Sequence, residues 1–207
     1  MDALKVACVL RSGGDFTAEH VALLRDQVAR FRPGVRFVCF SDVAVPCERI
    51  ALRHRGWRGF WAKLELFREL TGPTLYFDLD SLLLADPAPL IGAGEFVMIR
   101  HWIHADRFAS GVMYWDGDFS HVYRAFSPRL IRRYMQTMKR YGDQGFIQDV
   151  LGERITAFPE GTVVSFKRQC KAGVPDGAVV VAFHGRPRPW NAAEKWVRSH
   201  YEHASAA

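Results

Sequence analysis

Cysteine is scarce in this chain, and its spacing matches no metal or disulfide pattern. The sequence contains four cysteines, Cys8, Cys39, Cys47 and Cys170, and no two of them form a CxxC pair. Zinc sites and small disulfide frameworks depend on such spacings. Cys8 and Cys39 fall in apolar segments, where cysteine behaves as a small hydrophobic residue. We therefore expect four reduced thiols in the core of a cytoplasmic protein.

Long apolar runs are also missing. No segment approaches the length of a transmembrane helix, and the apolar stretch at 6–10 is too short for a signal peptide and lacks a cleavage site. The sequence has no internal repeat, low-complexity segment or linker. Its 207 residues suffice for one full core and not for two comfortable domains. We expect a single domain over residues 1–207.

Acidic residues are outnumbered by basic ones, 22 against 28, which gives a net charge of +6. This excess favours an anionic partner: a nucleotide, an anionic glycan or phospholipid headgroups. The arginines are scattered and form no aromatic-interleaved stripe, so we expect no nucleic-acid partner. For a cytoplasmic protein, the same charge suggests peripheral contact with the anionic inner face of the membrane.

Strand-like and helix-like segments alternate along the chain. The pattern predicts strands at 4–10, 35–40, 75–77, 95–100, 111–115 and 178–183, and helices at about 17–32, 60–70, 119–139, 144–151 and 192–202. Thr17 is the expected N-cap of the first helix. The βαβαβ start predicts an α/β fold with a mixed, mainly parallel central sheet, flanking helices, and ligands at the carboxyl ends of the strands.

The segment LYFDLDSLLL, residues 75–84, places two carboxylates inside an apolar run. In an extended chain, Asp78 and Asp80 point to the same side and can converge. Two such groups repel unless a cation or a shared proton holds them, and Mg²⁺ and Mn²⁺ prefer oxygen ligands of this kind. The alternative is that Asp78 caps a turn and Asp80 is solvated. The desolvation cost of an idle acidic pair favours the metal site.

Further polar residues stand in segments that suit a ligand. Lys63, in FWAKLELF, either reaches a phosphate or sugar oxygen or extends along the helix surface to solvent. In FASGVMYW, Gly111 either lets a ligand approach the backbone or makes a tight bend. In GDQGFIQD, Asp143 is either an N-cap or, together with Gln144, a hydrogen-bonding partner of ligand hydroxyls. His184 leaves the last strand at a ligand-binding edge, and the basic FHGRPRPW loop suits phosphate.

Taken together and in this order, these motifs resemble the family-8 type of GT-A glycosyltransferases, the group of glycogenin and bacterial lipopolysaccharide galactosyltransferases. The resemblance implies a GT-A (Rossmann-like) domain, with a nucleotide-binding half at about 1–84 and a sugar- and acceptor-binding half at about 85–207. It implies that Asp15 and Phe16 form the nucleotide-binding loop and that Lys63 contacts the donor. Asp78 and Asp80 resemble the DxD motif that holds Mn²⁺ or Mg²⁺ and the donor diphosphate.

The second half of the resemblance concerns the sugar and the closing loop. Ser110 and Gly111 match the SGV segment beside the donor sugar, and Asp143 and Gln144 match the DQG segment that flanks the anomeric carbon. The resemblance also assigns Gly185, Arg186 and Arg188 to the closing GRxKPW signature on the donor.

Three departures accompany this resemblance. Ala182 stands where the family has its metal histidine, and His184, two residues on, is expected to supply the third ligand from the same side of an extended segment. Ala109 and Gln148 replace two expected asparagines, which leaves the donor sugar open. Arg188 replaces a lysine and keeps its charge.

The implied function is a metal-dependent, retaining transfer of a sugar from a nucleotide-diphosphate sugar, most simply a UDP-sugar, to a glycan, lipid-linked or other acceptor. Three alternatives stay open at this point. FDLDSL resembles the nucleophile motif of haloacid-dehalogenase phosphatases, which would make Asp78 a nucleophile and Asp80 an acid. A non-catalytic nucleotide-sugar-binding module is the second. A nucleotidyltransferase is the third, although its phosphate loop is usually longer than residues 12–14.

Overall fold

The computed structural model describes residues 3–136 and 141–203. The strands are β1 Lys5–Leu10, β2 Arg36–Ser41, β3 Glu48–Ala51, β4 Thr74–Phe77, β5 Ser81–Leu83, β6 Phe96–Arg100, β7 Phe108–Trp115, β8 Ile155–Ala157, β9 Val163–Ser165 and β10 Val180–Ala182. The α-helices are α1 Ala18–Phe31, α2 Leu66–Glu69, α3 Ser120–Ala125, α4 Ile131–Met135, α5 Gly142–Leu151, α6 Phe166–Gln169 and α7 Lys195–His203. Short 3-10 helices cover Gly59–Glu65, Ala88–Leu90, Pro128–Leu130, Gly152–Arg154 and Pro189–Asn191.

Seven strands form the central sheet, in the order β3-β2-β1-β4-β7-β6-β8. β7 runs antiparallel to both of its neighbours, and the remaining pairs are parallel. This confirms the expected α/β class and the mixed, mainly parallel sheet. Because β7 lies between β4 and β6, the two halves of the chain meet directly beside the strand that precedes Asp78.

The alternation of side chains along β1 builds a core on each face of this sheet. Val6, Cys8 and Leu10 face α1, whose apolar stripe is Val21, Leu24 and Val28. Ala7 points to the opposite face, where the core includes Trp61, Phe67, Phe96, Trp115 and Phe146. Successive strand residues point to opposite faces, so one buried strand supplies both cores.

A second, three-stranded sheet has the order β5-β10-β9. It packs through Leu82, Val164 and Val181 on a small core shared with α6 and α7. β5 begins directly after Asp80, and β10 ends two residues before His184. The second sheet therefore connects the acidic segment to the basic loop.

Several predicted elements differ from the structure. The helix predicted at 119–139 is broken after Ala125, because Ser127 is extended (φ −135°, ψ 143°) before Pro128. Its predicted end at 137–139 lies outside the described residues. The helix predicted at 60–70 is mostly 3-10 helix and becomes α-helical only at α2. The last helix begins at Lys195, three residues late, because Pro189–Asn191 forms its own short turn.

Other expectations are confirmed. Thr17 is the N-cap of α1, and its backbone N–H donates to His20 Nδ1 at 2.9 Å. The four cysteines are free thiols; Cys8, Cys39 and Cys170 are buried and Cys47 is half-buried. Every helix among the described residues is too short or too polar to cross a bilayer.

Candidate functional site

A cavity of about 1050 Å³ opens at the carboxyl ends of the central parallel strands. Arg11 follows β1, Ser41 ends β2 and Asp78 follows β4, and all three line it. Of the site residues predicted from the sequence, the cavity brings together all except Arg186. Strand ends in an open α/β sheet leave a crevice for ligands, and this cavity occupies that place.

Asp78 and Asp80 lie on a tight turn rather than on an extended strand. The Ser81 N–H donates to the Asp78 carbonyl at 3.0 Å, which closes a turn between β4 and β5. Both side chains nevertheless line the cavity, while Leu79 between them is buried. The expectation that the two carboxylates share one site holds, but its geometric reason is the turn.

Lys63 lies at the centre of a buried cluster of polar side chains. Its Nζ lies 3.1 Å from Asp78 Oδ1, 3.1 Å from Asp143 Oδ2 and 3.0 Å from Ser110 Oγ. Ser110 Oγ also donates to Asp143 Oδ2 at 2.7 Å, and the Tyr76 hydroxyl donates to Asp78. Lys63 is only 4% exposed, so the alternative in which its side chain extends along the helix surface to solvent is wrong.

The chain before Lys63 is fixed by the buried carboxylate of Glu65. Glu65 accepts hydrogen bonds from the backbone N–H of Arg53 at 2.7 Å and of His54 at 3.0 Å. Glu65 is fully buried, so these bonds satisfy a costly charge and anchor the loop between β3 and the 3-10 helix. The anchored loop in turn holds Lys63 in place.

Ser110 and Asp143 reach Lys63 through two local irregularities. The register between β6 and β7 shifts between Met98 and Ile99, opposite Ser110 and Gly111. Gly142, which opens α5, has φ +69°, and a Cβ there would lie 2.9 Å from Phe60. Only glycine suits both that backbone conformation and that contact. The N-cap of α5 is Tyr141, so the N-cap alternative for Asp143 is wrong.

The charges in this cluster shift the pKa values of its members. Burial acts to lower the pKa of Lys63, but the carboxylates of Asp143 and Asp78 raise it above its usual value. Burial raises the pKa of Asp78, against the pull of Lys63. Burial first and the charge of Asp78 second raise the pKa of Asp80. Burial is thus the main cost to the ionised forms of Asp78 and Asp80, and further positive charge beside them would offset part of it.

The basic loop after β10 folds over the acidic turn. The Arg188 guanidinium donates to Asp80 and lies 3.8 Å from Asp15 Oδ2 and 4.9 Å from the centre of the Phe16 ring. Arg186 pairs with Asp15 at 3.2 Å, at the rim. Arg188 Nε is buried and has no partner within residues 3–136 and 141–203. Arg11 Nε and Arg68 Nε are in the same state, and each such buried donor is costly.

His184 is positioned by two contacts of its own. Its Nε2 lies 2.6 Å from Ser165 Oγ, and its ring stacks on Trp102 with 5.0 Å between centres. Burial and the nearby cations Lys167 and Arg168 lower its pKa, which favours the neutral form that binds metals. His184 lines the cavity, and its role as a ligand stays a prediction.

The side chains present fit a divalent cation through two carboxylates. Asp78 and Asp80 offer hard oxygen ligands, and a cation beside them would offset the burial that raises the pKa of both carboxyls. Among the described residues, no group of three His, Cys, Asp or Glu side chains converges as a complete ligand set. A cation here would complete its coordination with oxygens of a ligand or water.

Sequence reasoning missed Tyr76 and the network around Asp42. Asp42 Oδ1 accepts from the Ser12 N–H at 2.8 Å, and Arg11 pairs with Asp42 at 3.3 Å. A signal was present, since Arg11 and Asp42 each follow a predicted parallel strand and so belong to one edge of the sheet. For Tyr76 no signal existed, because an aromatic residue inside a strand is typical of a core.

No protein-family model matches the sequence, and a search of curated proteins finds no significant match. Several solved structures are similar to the structure of this chain. The galactosyltransferase LgtC, in complex with donor and acceptor sugar analogues, is 12% identical with a TM-score of 0.66 over 98% of this chain and 95% of that chain. The apo-form glycosyltransferase GlyE of Streptococcus pneumoniae TIGR4 is 13% identical with a TM-score of 0.71, over 98% of this chain and 60% of that one. The chain has the GT-A glycosyltransferase fold.

The position of the acidic pair in this fold differs from the one that the phosphatase alternative expects. That alternative expects the acidic pair on the first strand, whereas Asp78 and Asp80 follow β4. A similarity at these identities establishes the fold alone. What the site does therefore depends on its residues.

Proposed function

We propose that this chain is a metal-dependent glycosyltransferase that moves a sugar from a nucleotide-diphosphate sugar, a UDP-sugar, to an acceptor. The acceptor is a glycan or a lipid-linked saccharide, and the transfer retains the anomeric configuration. The observation that carries the proposal is the buried cluster of Lys63, Asp78, Ser110 and Asp143 in the main cleft of a GT-A fold. Buried ionic groups that face a cavity are typical of catalytic sites.

The donor diphosphate is assigned to the space between the acidic turn and the basic loop. Arg188 and Lys63 supply positive charge there, and Gly185, with φ +80°, has a backbone conformation that suits glycine. Arg186 and Arg188 offer planar guanidinium groups, which bind phosphate oxygens with two parallel hydrogen bonds.

Mn²⁺ or Mg²⁺ is the proposed cofactor, and Asp78 and Asp80 would hold it, with His184 as the third candidate. When bound, such a cation neutralises the charge that develops on a departing diphosphate. Lys63 and Arg188 add fixed positive charge beside the same group without reorganisation, which lowers the barrier in a partly dry cleft.

The nucleotide and the sugar are assigned to opposite sides of this centre. Asp15 and Phe16, on the loop after β1, would contact the nucleotide, with the Phe16 ring against its base. Asp143 and Gln144, together with Ser110 and Gly111, would orient the donor sugar. In this proposal residues 1–84 form the nucleotide-binding half, and residues 85–207 form the sugar- and acceptor-binding half.

A screen of nucleotide sugars for metal-dependent hydrolysis tests the proposal. We expect release of a nucleoside diphosphate from at least one UDP-sugar in the presence of Mn²⁺ or Mg²⁺, because the enzyme activates the anomeric bond even when water is the acceptor. Exhaustive chelation should remove this activity, and added Mn²⁺ should restore it. Full activity after chelation would contradict the cofactor assignment, and release of phosphate from a simple phosphomonoester would favour the phosphatase instead.

For His184, we expect the alanine variant to raise the Mn²⁺ concentration needed for half-maximal UDP binding and for turnover together. Both effects are expected because one cation joins the protein to the diphosphate. Ser165→Ala is the matched control, since it removes the hydrogen-bond partner of His184 but no candidate ligand. If His184→Ala lowers the melting temperature while its Mn²⁺ titration matches the wild type, His184 is a packing residue only.

A further inference from the structure

Three arginines in the cleft carry charge that the protein itself does not neutralise. Arg49 lies on β3, and Arg55 and Arg58 lie on the loop that follows it; all three are exposed and line the cavity. In the part of the chain that the structure describes, none of their guanidinium groups has a hydrogen-bond or ion-pair partner. Neither the fold nor the proposed donor site accounts for them.

The other cations that line the cavity are already paired with its acidic residues. Arg11 pairs with Asp42 at 3.3 Å, and Lys63 pairs with Asp78 and Asp143. Arg188 donates to Asp80 and lies near Asp15, which Arg186 also contacts. The six cations that line the cavity exceed its five carboxylates by one charge. Each of those carboxylates contacts one of the paired cations, so none of them pairs with Arg49, Arg55 or Arg58.

The loop that carries Arg55 and Arg58 is rigidly anchored. Trp57 is 5% exposed, its ring stacks on His54 at 4.1 Å, and the His54 N–H donates to Glu65. The guanidinium groups therefore extend into the cleft from a fixed backbone, which reduces the entropy lost when they bind a ligand.

The position of this loop separates it from the basic loop at the donor diphosphate. Phe60, two residues after Arg58, lies against Gly142. A Cβ added to Gly142 would lie only 2.9 Å from the Phe60 ring. Gly142 precedes Asp143 and Gln144, the residues assigned to the donor sugar. Arg55 and Arg58 therefore lie on the segment that contacts the sugar side, whereas Arg186 and Arg188 lie beside Asp15 and Phe16. Arg49 lines the same cavity from the edge strand β3. In this proposal the acceptor site thus takes residues from the nucleotide-binding half as well.

Resting on the proposed function, we propose that the acceptor is an acidic glycan whose phosphate, sulfate or carboxylate groups bind Arg49, Arg55 and Arg58. Like charges gathered in one cavity repel each other, and a shared anion removes that repulsion. Guanidinium groups match phosphate and carboxylate oxygens in geometry as well as charge. The donor diphosphate is assigned to the space beside Lys63 and Arg188, which leaves Arg49, Arg55 and Arg58 for a second anion.

Isothermal titration in the presence of saturating UDP and Mn²⁺ tests this inference, since the nucleotide part of the donor site is then filled and the arginine variants report on binding outside it. The probes are glucose 6-phosphate, glucuronic acid and uncharged glucose. We expect both acidic sugars to bind at least about tenfold more tightly than glucose, because each gains charge-assisted hydrogen bonds. The double variant Arg55→Gln/Arg58→Gln should lose about fivefold to tenfold of that affinity, a range suited to exposed ion pairs.

The control variant Arg30→Gln/Arg129→Gln removes the same charge from two exposed arginines that do not line the cavity, and it should bind as the wild type does. Two results would overturn the inference: acidic sugars that bind no better than glucose, or acidic sugars that bind equally well to both double variants. In either case, UDP binding to the wild type would leave the proposed function intact. Binding to phosphatidylglycerol vesicles in place of the sugars overturns it in favour of a lipid headgroup. Absence of UDP binding to the wild type overturns the proposed function itself.

Discussion

Asp80→Asn is expected to reduce the turnover of a nucleotide-sugar donor by at least about 100-fold, the scale for removing one preorganised electrostatic contact. Asparagine keeps the shape of the side chain and removes the charge that would hold a cation beside Asp78. The Asp80 side chain is 10% exposed, so water cannot replace the lost ligand freely. Turnover is measured as the release of the nucleoside diphosphate at saturating Mn²⁺.

Asp80→Asn should also leave the protein folded. Because burial and Asp78 raise the pKa of Asp80, its ionised form is less favourable in the folded than in the unfolded state, and this cost grows as pH rises above the unfolded pKa. The free energy of unfolding of the variant at pH 7 should therefore be no lower than that of the wild type. Asp176→Asn, an exposed position outside the cavity, is the control. Wild-type turnover in Asp80→Asn would remove Asp80 from the site.

Lys63→Met is expected to affect both stability and activity. Removing one partner of a buried ionic cluster leaves the other charges uncompensated, and we expect a loss of about 3 kcal/mol in the free energy of unfolding. This is the low end of the usual range, because the Asp78 side chain is 35% exposed and water relieves part of the cost. Turnover should fall as well, since Asp143 loses the contact that positions it.

Urea denaturation followed by circular dichroism measures this loss, with Lys171→Met, an exposed lysine outside the cavity, as the control. The double variant Lys63→Met/Asp143→Asn should recover part of the stability, because it removes one uncompensated carboxylate, without recovering turnover. The deficit of the single variant should shrink at low pH, where the carboxylates take up protons. A deficit that persists unchanged in the double variant would show that Lys63 acts through packing alone.

The sequence predicted the elements whose apolar pattern is long enough to be decisive. β1, α1 and β4 follow directly from alternation or helical spacing. The short strands β3, β5, β8 and β9 were missed, because their pairing partners define them: β3 extends along β2, and β8 extends along β6. Since β3 was missed, the position of Arg49 in the cleft could not be inferred.

The candidate site was predictable in its residue types and less so in its contacts. Asp78, Lys63, Ser110 and Asp143 were each recognisable from the motifs. Their convergence was not, because it requires β7 to lie beside β4 and a glycine at the start of α5 to accept the Phe60 ring. The break before Pro128 was readable from the sequence, whereas the contacts of His184 with Ser165 and Trp102 depend on the second sheet.

The strand order of the second sheet has a consequence for how the protein folds. β10 is its central strand, and the Phe183 N–H donates to the Asp80 carbonyl at 3.2 Å, across about half of the chain. Contacts of such sequence separation form slowly, since a long loop must close first. The basic loop after β10 can therefore cover the acidic turn at Asp78 and Asp80 only after synthesis has passed residue 188. A chain cut before Val180 would lose that cover and leave β5 and β9 without the strand between them.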